Sequence, residues 1–411
     1  MTPKPIILVL IQHYLPGTKT GGPVRSVSNL VDWMGDEFDF RILTLNHDKG
    51  ENEPYVGVEP GRWYPVGKAQ VRYLTPAETG LLALHRIIQS IPYDLLQIES
   101  VLARTSIQAL ILRRLGLLRG TVLITPRGHL GQGALLQKST KKAVFLRIVK
   151  VLGLYRGLHW YATSEGERFE IVQHFGHGEA SRIYVIPNLP MRAPQLLGAS
   201  RLPKRPGYLR IVFLSRISRK KNLHFALETL RGLEGEIEFD IYGNIEDAVY
   251  WEECQRVMAT LPQNVRTRYC GILPFDQVVA SLAQYHLFYL PTLHENYGHV
   301  IFEALSAGCP VLISDQTPWK ELGKRGAGWG LPLEQPVAFN AALRQVIELD
   351  ETAFLTQSSS ARLLANDSVS ESAGYEKLVR LLSMLSAAAA RLSPASEHDW
   401  VDSVVRSWTP L

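Results

Sequence analysis

The chain has 411 residues, of which 46% are hydrophobic and 20% charged, and a net charge of +5. That length exceeds one ordinary core and predicts two domains of similar size, while the balance of apolar and charged residues excludes a disordered or fibrous chain. Cys254, Cys270 and Cys309 are too few and too scattered for a disulfide framework or a zinc cluster, and no apolar run reaches the length of a bilayer span, so a cytoplasmic protein is expected.

Residues 6–11 are apolar throughout, as in a strand covered on both faces. Gly21-Gly22-Pro23 then opens a helix with Val24, Val27, Leu30, Val31 and Met34 along one side. Further strands are expected over 40–45, 95–98, 122–125, 158–162 and 183–186, with helical stretches between most of them, which describes a doubly wound parallel sheet. Residues 191–207, rich in Pro, Arg and Gly, form the expected linker. A second sheet follows over 209–214, 239–242, 267–270, 287–290 and 311–313, again alternating with helices. The fold class is therefore α/β, with two doubly wound parallel-sheet, Rossmann-like domains facing a cleft at their carboxyl strand ends. The expected boundaries are 1–195, 196–383 and a tail over 384–411. In that tail Trp400, Val401, Val404, Val405 and Trp408 make an apolar stripe at helical spacing, suited to covering a partner or membrane surface or, as the family resemblance given below implies, to crossing back onto the first domain.

Charge is unevenly spread. Between Glu99 and Glu165 the chain has eleven lysines and arginines and no acid, so part of the first half is a basic surface that should meet something anionic. Within it, residues 138–156 combine Lys141, Lys142, Arg147 and Lys150 with Val144, Phe145, Leu146, Ile148, Val149 and Leu152, a basic amphipathic pattern that fits an anionic membrane surface. Few aromatic residues interleave with these cations, which argues against nucleic acid as the partner.

The stretch from His294 to Val311 carries the most chemistry. Glu295 and Glu303 have seven residues between them, across a loop-to-helix junction, and Gly308 and Pro310 stop the helix before the next strand. The first turn is expected at Tyr297 to Val300, where opening amides and the positive dipole end suit a diphosphate. Glu295 would lie beside the far phosphate, and Glu303 would accept both hydroxyls of a ribose. A plain helix-start acid and a solvated helix residue are the competing description.

This arrangement resembles the donor-site signature of retaining glycosyltransferase family 4, the glycosyl transferases group 1, whose fold is GT-B. The resemblance implies that Glu295, Asn296, Tyr297, Gly298, His299, Val300 and Glu303 bind a nucleotide-diphosphate sugar. Ser215 to Leu223 is similar to the family's element of Arg, four residues and Lys after the second domain's opening strand. It implies Arg216 and Lys221 as the diphosphate clamp, with Lys220 adjacent. Gly21 and Gly22 occupy the loop where the family brings backbone amides to donor or acceptor, and Gly271 and Leu273 the place where backbone meets the nucleobase. On the acceptor side stand Arg127 and His129 of Thr125-Pro126-Arg127-Gly128-His129, and Glu165 of Thr163-Ser164-Glu165-Gly166-Glu167. In the last segment Ser164 and Glu167 also form a Ser-x-x-Glu capping box, and Ile186-Pro187-Asn188 resembles the family's hinge.

The implied activity is transfer of a hexosyl unit, with retention, from a UDP or GDP sugar to a saccharide acceptor. A lipid-linked glycan of bacterial exopolysaccharide, O-antigen or capsule synthesis is the expected acceptor, handled in the cytoplasm at the inner face of the cell membrane. The catalytic set is Glu295, Arg216, Lys221 and His129, with departing diphosphate taking the acceptor's proton. No Asp-x-Asp occurs in the chain, and neither metal nor cofactor is expected. A nucleotide-sugar epimerase or phosphorylase on the same fold, and a non-enzymatic anion or nucleic-acid binding protein, are the alternative functions.

Overall fold

The computed structural model describes residues 3–130, 147, 149–192, 203–370 and 374–391. The chain forms two compact units, Met1–Leu189 with Ala373–Leu411, and Pro190–Ser372. The apolar stripe expected over 400–408 and most of the basic segment 138–148 lie outside the described residues, as do residues 193–202 of the linker.

In the first unit, β1 (Ile6–Leu10), β2 (Asp39–Leu45), β3 (Trp63–Val66), β4 (Ala69–Leu74), β5 (Leu95–Glu99), β6 (Thr121–Thr125), β7 (His159–Ala162) and β8 (Ile183–Val185) pair in the order β3-β4-β2-β1-β5-β6-β7-β8. Every neighbouring pair is parallel except β3 with β4. That hairpin was not evident from the sequence. In β4 buried Ala69, Val71 and Tyr73 alternate with the less buried Gln70 and Arg72, so the strand carries no continuous apolar run, and Gly67 takes φ 59° in the two-residue turn before it. The sequence order reverses at β1, between β2 and β5, which puts the loops after β1 and β5 at a topological switch point.

The first unit is completed from far along the chain. The helix Gly374–Arg391 packs on β5 and β6 through buried Leu378, Leu381, Leu382 and Leu385. Near its start Tyr375 stacks obliquely on Trp33, with centroids 5.7 Å apart, and its hydroxyl donates to Glu37 at 2.6 Å.

In the second unit, β9 (Tyr208–Leu214), β10 (Glu236–Tyr242), β11 (Val265–Tyr269), β12 (Leu287–Leu290), β13 (Val311–Ser314) and β14 (Gly328–Leu331) pair in the order β11-β10-β9-β12-β13-β14, all parallel. This is the 3-2-1-4-5-6 order of a dinucleotide-type fold, with its switch point between β9 and β12. Phe213, Phe239, Tyr289, Phe302 and Phe339 lie in its core. β14 was missed because Gly-Trp-Gly-Leu has little β propensity. Gly328 is required there: at φ 142°, an added Cβ would sit 2.0 Å from the Val311 carbonyl oxygen.

Candidate functional site

Two loops meet at the switch point of the second unit. The first leaves β9 as Ser215 to Asn222, and the second leaves β12 as Pro291 to Gly298. They are joined by backbone and side chain: the Leu293 amide donates to the Lys220 carbonyl at 2.8 Å, and the Thr292 hydroxyl donates to the same oxygen at 3.1 Å. Thr292 is fully buried and its carbonyl accepts from the Ser314 hydroxyl. Asn222, at φ 59°, turns the first loop into the helix Leu223–Glu228. Asparagine tolerates that left-handed conformation better than most residues with a side chain.

This framework brings together residues that the sequence separates. Lys221 forms an ion pair with Glu295, and their side chains are 9% and 15% exposed. Burial, then the nearby cations Arg216 and Lys220, push the Lys221 ammonium well below the usual lysine range, and the Glu246 carboxylate opposes them. Arg216 donates to Glu246 at 2.5 Å. Arg219 is directed elsewhere, to both carboxylate oxygens of Glu253 and over the Tyr250 ring. The basic loop is thus sorted by its partners: Lys221 faces the loop after β12 and Arg216 the loop after β10, whereas Arg219 holds the helix Ala248–Met258.

The helix expected to start at Tyr297 starts at His299 and runs to Ser306. Gly298 precedes it in a left-handed conformation with φ 76°, where an added Cβ would lie 2.7 Å from Ile301 Cδ1. The amides of the first turn, at His299 and Val300, are those that an α-helix leaves without an i−4 carbonyl. The loop before them is pinned to residues beyond β13. The Glu295 amide donates to the Gln316 carbonyl at 3.0 Å, and Trp319 Nε1 donates to the Tyr297 carbonyl at 2.8 Å while its ring packs edge-on to Tyr297. His294 Nε2 lies 2.8 Å from Asn296 Oδ1. Glu303 is buried, at 4% exposure. Gly271 has φ 78° and its carbonyl accepts from the Gly243 amide at 2.8 Å, which sets the loop after β11 beside the loop after β10; Leu273 is half-buried against the core.

The first unit has its own cluster at carboxyl strand ends. Gly21, at φ 71°, caps the helix Gly22–Met34, and a Cβ added to Gly21 or Gly22 would meet nothing within 4 Å. Open backbone of this kind suits close approach of a ligand. Arg127 takes φ 54°, and its side chain is 4% exposed. It donates to both oxygens of Glu99, at 2.6 and 3.1 Å, and to Asn188 Oδ1 at 2.5 Å, and lies 5.4 Å from the Tyr161 ring centroid. Burial alone would lower the Arg127 guanidinium, but the Glu99 charge and its hydrogen bonds outweigh it and raise the pKa above the ordinary value.

His129 Nδ1 is 2.8 Å from the Ser100 hydroxyl, and Ser100 itself has φ 83°. The three non-glycine residues with positive φ among those described, Ser100, Arg127 and Asn222, all stand in loops after strands at these two clusters, as strained backbone commonly does at functional sites. Glu165 is 73% exposed and pairs with Arg168 at 3.4 Å. Ser164 caps the helix Glu165–Phe175, and Glu167 is buried. The Glu167 carboxylate accepts from Thr163 and from the Gly128 amide at 2.6 Å, so the capping segment also anchors the Arg127–His129 loop.

Glu99, Asn188, Glu246, Gln316 and Trp319 were not singled out as site residues from sequence. Glu99 had one legible signal, an acid closing an apolar strand, which needs a buried partner.

Two doubly wound α/β units, each with its residues gathered beyond the carboxyl strand ends, define the GT-B fold class. Residues 199–356, most of the second unit, match the glycosyl transferases group 1. No curated protein matches it. Among solved structures, HepE of Anabaena in complex with UDP and glucose is similar at 17% identity and a TM-score of 0.65, over 92% of this chain and 100% of that one. Sucrose-phosphate synthase from Thermosynechococcus elongatus is similar at 16% identity and a TM-score of 0.68, over 94% and 100%. WaaG, a glycosyltransferase involved in lipopolysaccharide biosynthesis, is similar at 12% identity and a TM-score of 0.61, over 92% and 99%.

Proposed function

We propose that the protein transfers a hexosyl unit, with retention of configuration, from a UDP or GDP sugar to a saccharide acceptor. The observation that carries this reading is the Lys221–Glu295 pair across the β9–β12 switch point, beside Arg216 and ahead of the His299–Ser306 helix. A diphosphate entering here would meet two cations and the positive end of a helix, the potential needed to stabilise a leaving nucleoside diphosphate. Glu295 and the backbone of Asn296 to Val300 would then face the sugar, Glu303 would accept ribose hydroxyls, and Gly271 and Leu273 would border the base. On the first unit Gly21, Gly22 and His129 are proposed to meet donor or acceptor, with Glu165 as an outer acceptor contact. Arg127 would act by holding the His129 loop through Glu99 and Asn188.

The UDP-glucose bound in HepE supports the choice of UDP-glucose as the first donor to try. The test is a thermal-shift panel of UDP-, GDP- and ADP-sugars. Binding of one should raise the melting temperature by mass action, and Glu303→Ala should abolish the rise. A panel without any shift in the wild type would remove the reading.

The acceptor is proposed to be a lipid-linked glycan, met at the inner membrane face in exopolysaccharide, O-antigen or capsule synthesis. Among the described residues no helix is long and apolar enough to cross a membrane. Support for surface docking comes from Val151 and Leu152, 82% and 53% exposed, close in sequence to Lys150 and Arg147. Co-sedimentation with anionic liposomes that disappears at high salt is the expected result; equal sedimentation with neutral liposomes would argue against it.

A further inference from the structure

Glu246 stands where the proposed donor's charge would go. It follows β10 in a loop laced to the loop after β9: the Ile217 amide donates to the Asn244 carbonyl at 2.8 Å, and the Glu246 amide donates back to the Ile217 carbonyl at 3.1 Å. Ile217 is fully buried, and Gly243 permits the approach, since with φ 143° an added Cβ would sit 1.8 Å from the Ser215 carbonyl oxygen. The two loops are therefore set by backbone. Arg216 and Glu246, which occupy neighbouring positions on them, are held face to face at 2.5 Å, with side chains 36% and 28% exposed. The Glu246 charge also reaches Lys221, where it favours the ammonium.

We propose that Glu246 is an internal competitor for the diphosphate: it pairs with Arg216 and is displaced when a nucleoside diphosphate or its sugar binds. The proposal rests on the donor site described above and assigns it a release residue. A site whose cations were left unpaired would bind any nucleoside diphosphate, product included, more tightly. A carboxylate on a rigid loop lowers that affinity by the strength of one partly exposed ion pair, and it re-forms its bond as product leaves. Because donor and product share the diphosphate, the residue acts on both, and its effect on turnover appears at product release.

The experiment is calorimetric titration of UDP and GDP into wild type, Glu246→Gln, Arg216→Gln and the double variant, with melting temperatures recorded for each. Glu246→Gln is expected to bind the nucleoside diphosphate about fivefold more tightly, with correspondingly stronger product inhibition. In the Arg216→Gln background the same change should have a much smaller effect on affinity, limited to what Glu246 does through Lys221. That coupling is what a merely structural glutamate would not produce. Unchanged or weaker binding by Glu246→Gln at a wild-type melting temperature would overturn the proposal while leaving the donor site standing. Should that variant melt early, Glu246→Asp, which keeps the charge but withdraws it from Arg216, must show the tightening or the proposal falls. Failure of the wild type to bind any nucleoside diphosphate would overturn the donor site and this inference together.

Discussion

Lys221 and Glu295, 74 residues apart in the chain, form one largely buried ion pair at the point where the strand order of the second sheet reverses. Between them in the chain run β10, β11 and their helices, so the pair exists only when the sheet order is right. It would link stability to the proposed function, because both charges are largely withdrawn from water.

Glu295→Ala should accordingly have two effects. It leaves the Lys221 cation buried without its carboxylate, a cost of about 3 kcal/mol in chemical denaturation, and it removes the acid beside the proposed sugar, reducing turnover about 10²-fold or more. Lys221→Met combined with Glu295→Gln separates the two. With neither charge left to desolvate, the double variant should recover most of the lost stability and none of the activity. Recovery of activity along with stability would mean that the pair is a scaffold only.

Trp319 offers a narrower change. Its indole N–H donates to the Tyr297 carbonyl, and its ring packs against Tyr297 and Phe302. Trp319→Phe keeps most of the ring and removes the donor, which should cost about 1 kcal/mol and loosen the Tyr297–Gly298 turn that presents the helix amides. The expected readout is weaker donor binding, by about five- to tenfold, with a small change in melting temperature. A wild-type dissociation constant would show that the turn holds its shape without that bond.

What was legible in the sequence follows from which interactions leave a local trace. Buried parallel strands such as β1 and β12 are continuous apolar runs, and the Gly308-Cys309-Pro310 helix stop is local chemistry, so most strands of both sheets and the loop-to-helix junction after Glu295 could be read directly, with the helix start placed two residues early. The hairpin of β3 and β4 and the glycine-rich β14 left no such pattern. Partners were harder still. Arg127 has the charge of an anion-binding residue, and nothing local says that Glu99, on the neighbouring strand, accepts from both its Nε and its Nη2. Glu246 and Trp319 belong to the site through turns after other strands, which only the sheet order brings alongside.

The Arg127–Glu99 pair predicts an unusually poor tolerance for a nominally mild change. A lysine at 127 has a single charged nitrogen on a flexible stem and cannot serve Glu99 bidentately together with Asn188. Glu99 is 1% exposed, so whatever it loses is not replaced by water. Arg127→Lys should therefore destabilise by about 2 kcal/mol and Arg127→Met by about 3–5 kcal/mol, measured by urea denaturation. Neutralising both, as Arg127→Met with Glu99→Gln, should return part of that loss. If Arg127→Met is as stable as wild type, the pair contributes nothing to the fold and the arginine is free for an acceptor role.

Acid should weaken the first unit through His159. Its ring stacks on Tyr184, Nδ1 lies 3.2 Å from the Tyr184 hydroxyl, and burial, followed by the charges of Arg182 and Arg113, lowers its pKa to about 4. In the unfolded chain an ordinary histidine takes up a proton near pH ~6.5, whereas the folded protein refuses that proton until about pH 4. The unfolded state thus binds more protons across this window, and stability falls as the pH drops through it. The full contribution, present above about pH 6.5 and lost below about pH 4, is on the order of 3 kcal/mol. His13, also lowered by burial, acts in the same direction. Urea midpoints between pH 7 and pH 4.5 should fall steadily for the wild type and less steeply for His159→Gln. A variant with an unchanged slope would place the acid sensitivity elsewhere, with His13→Gln the next to measure.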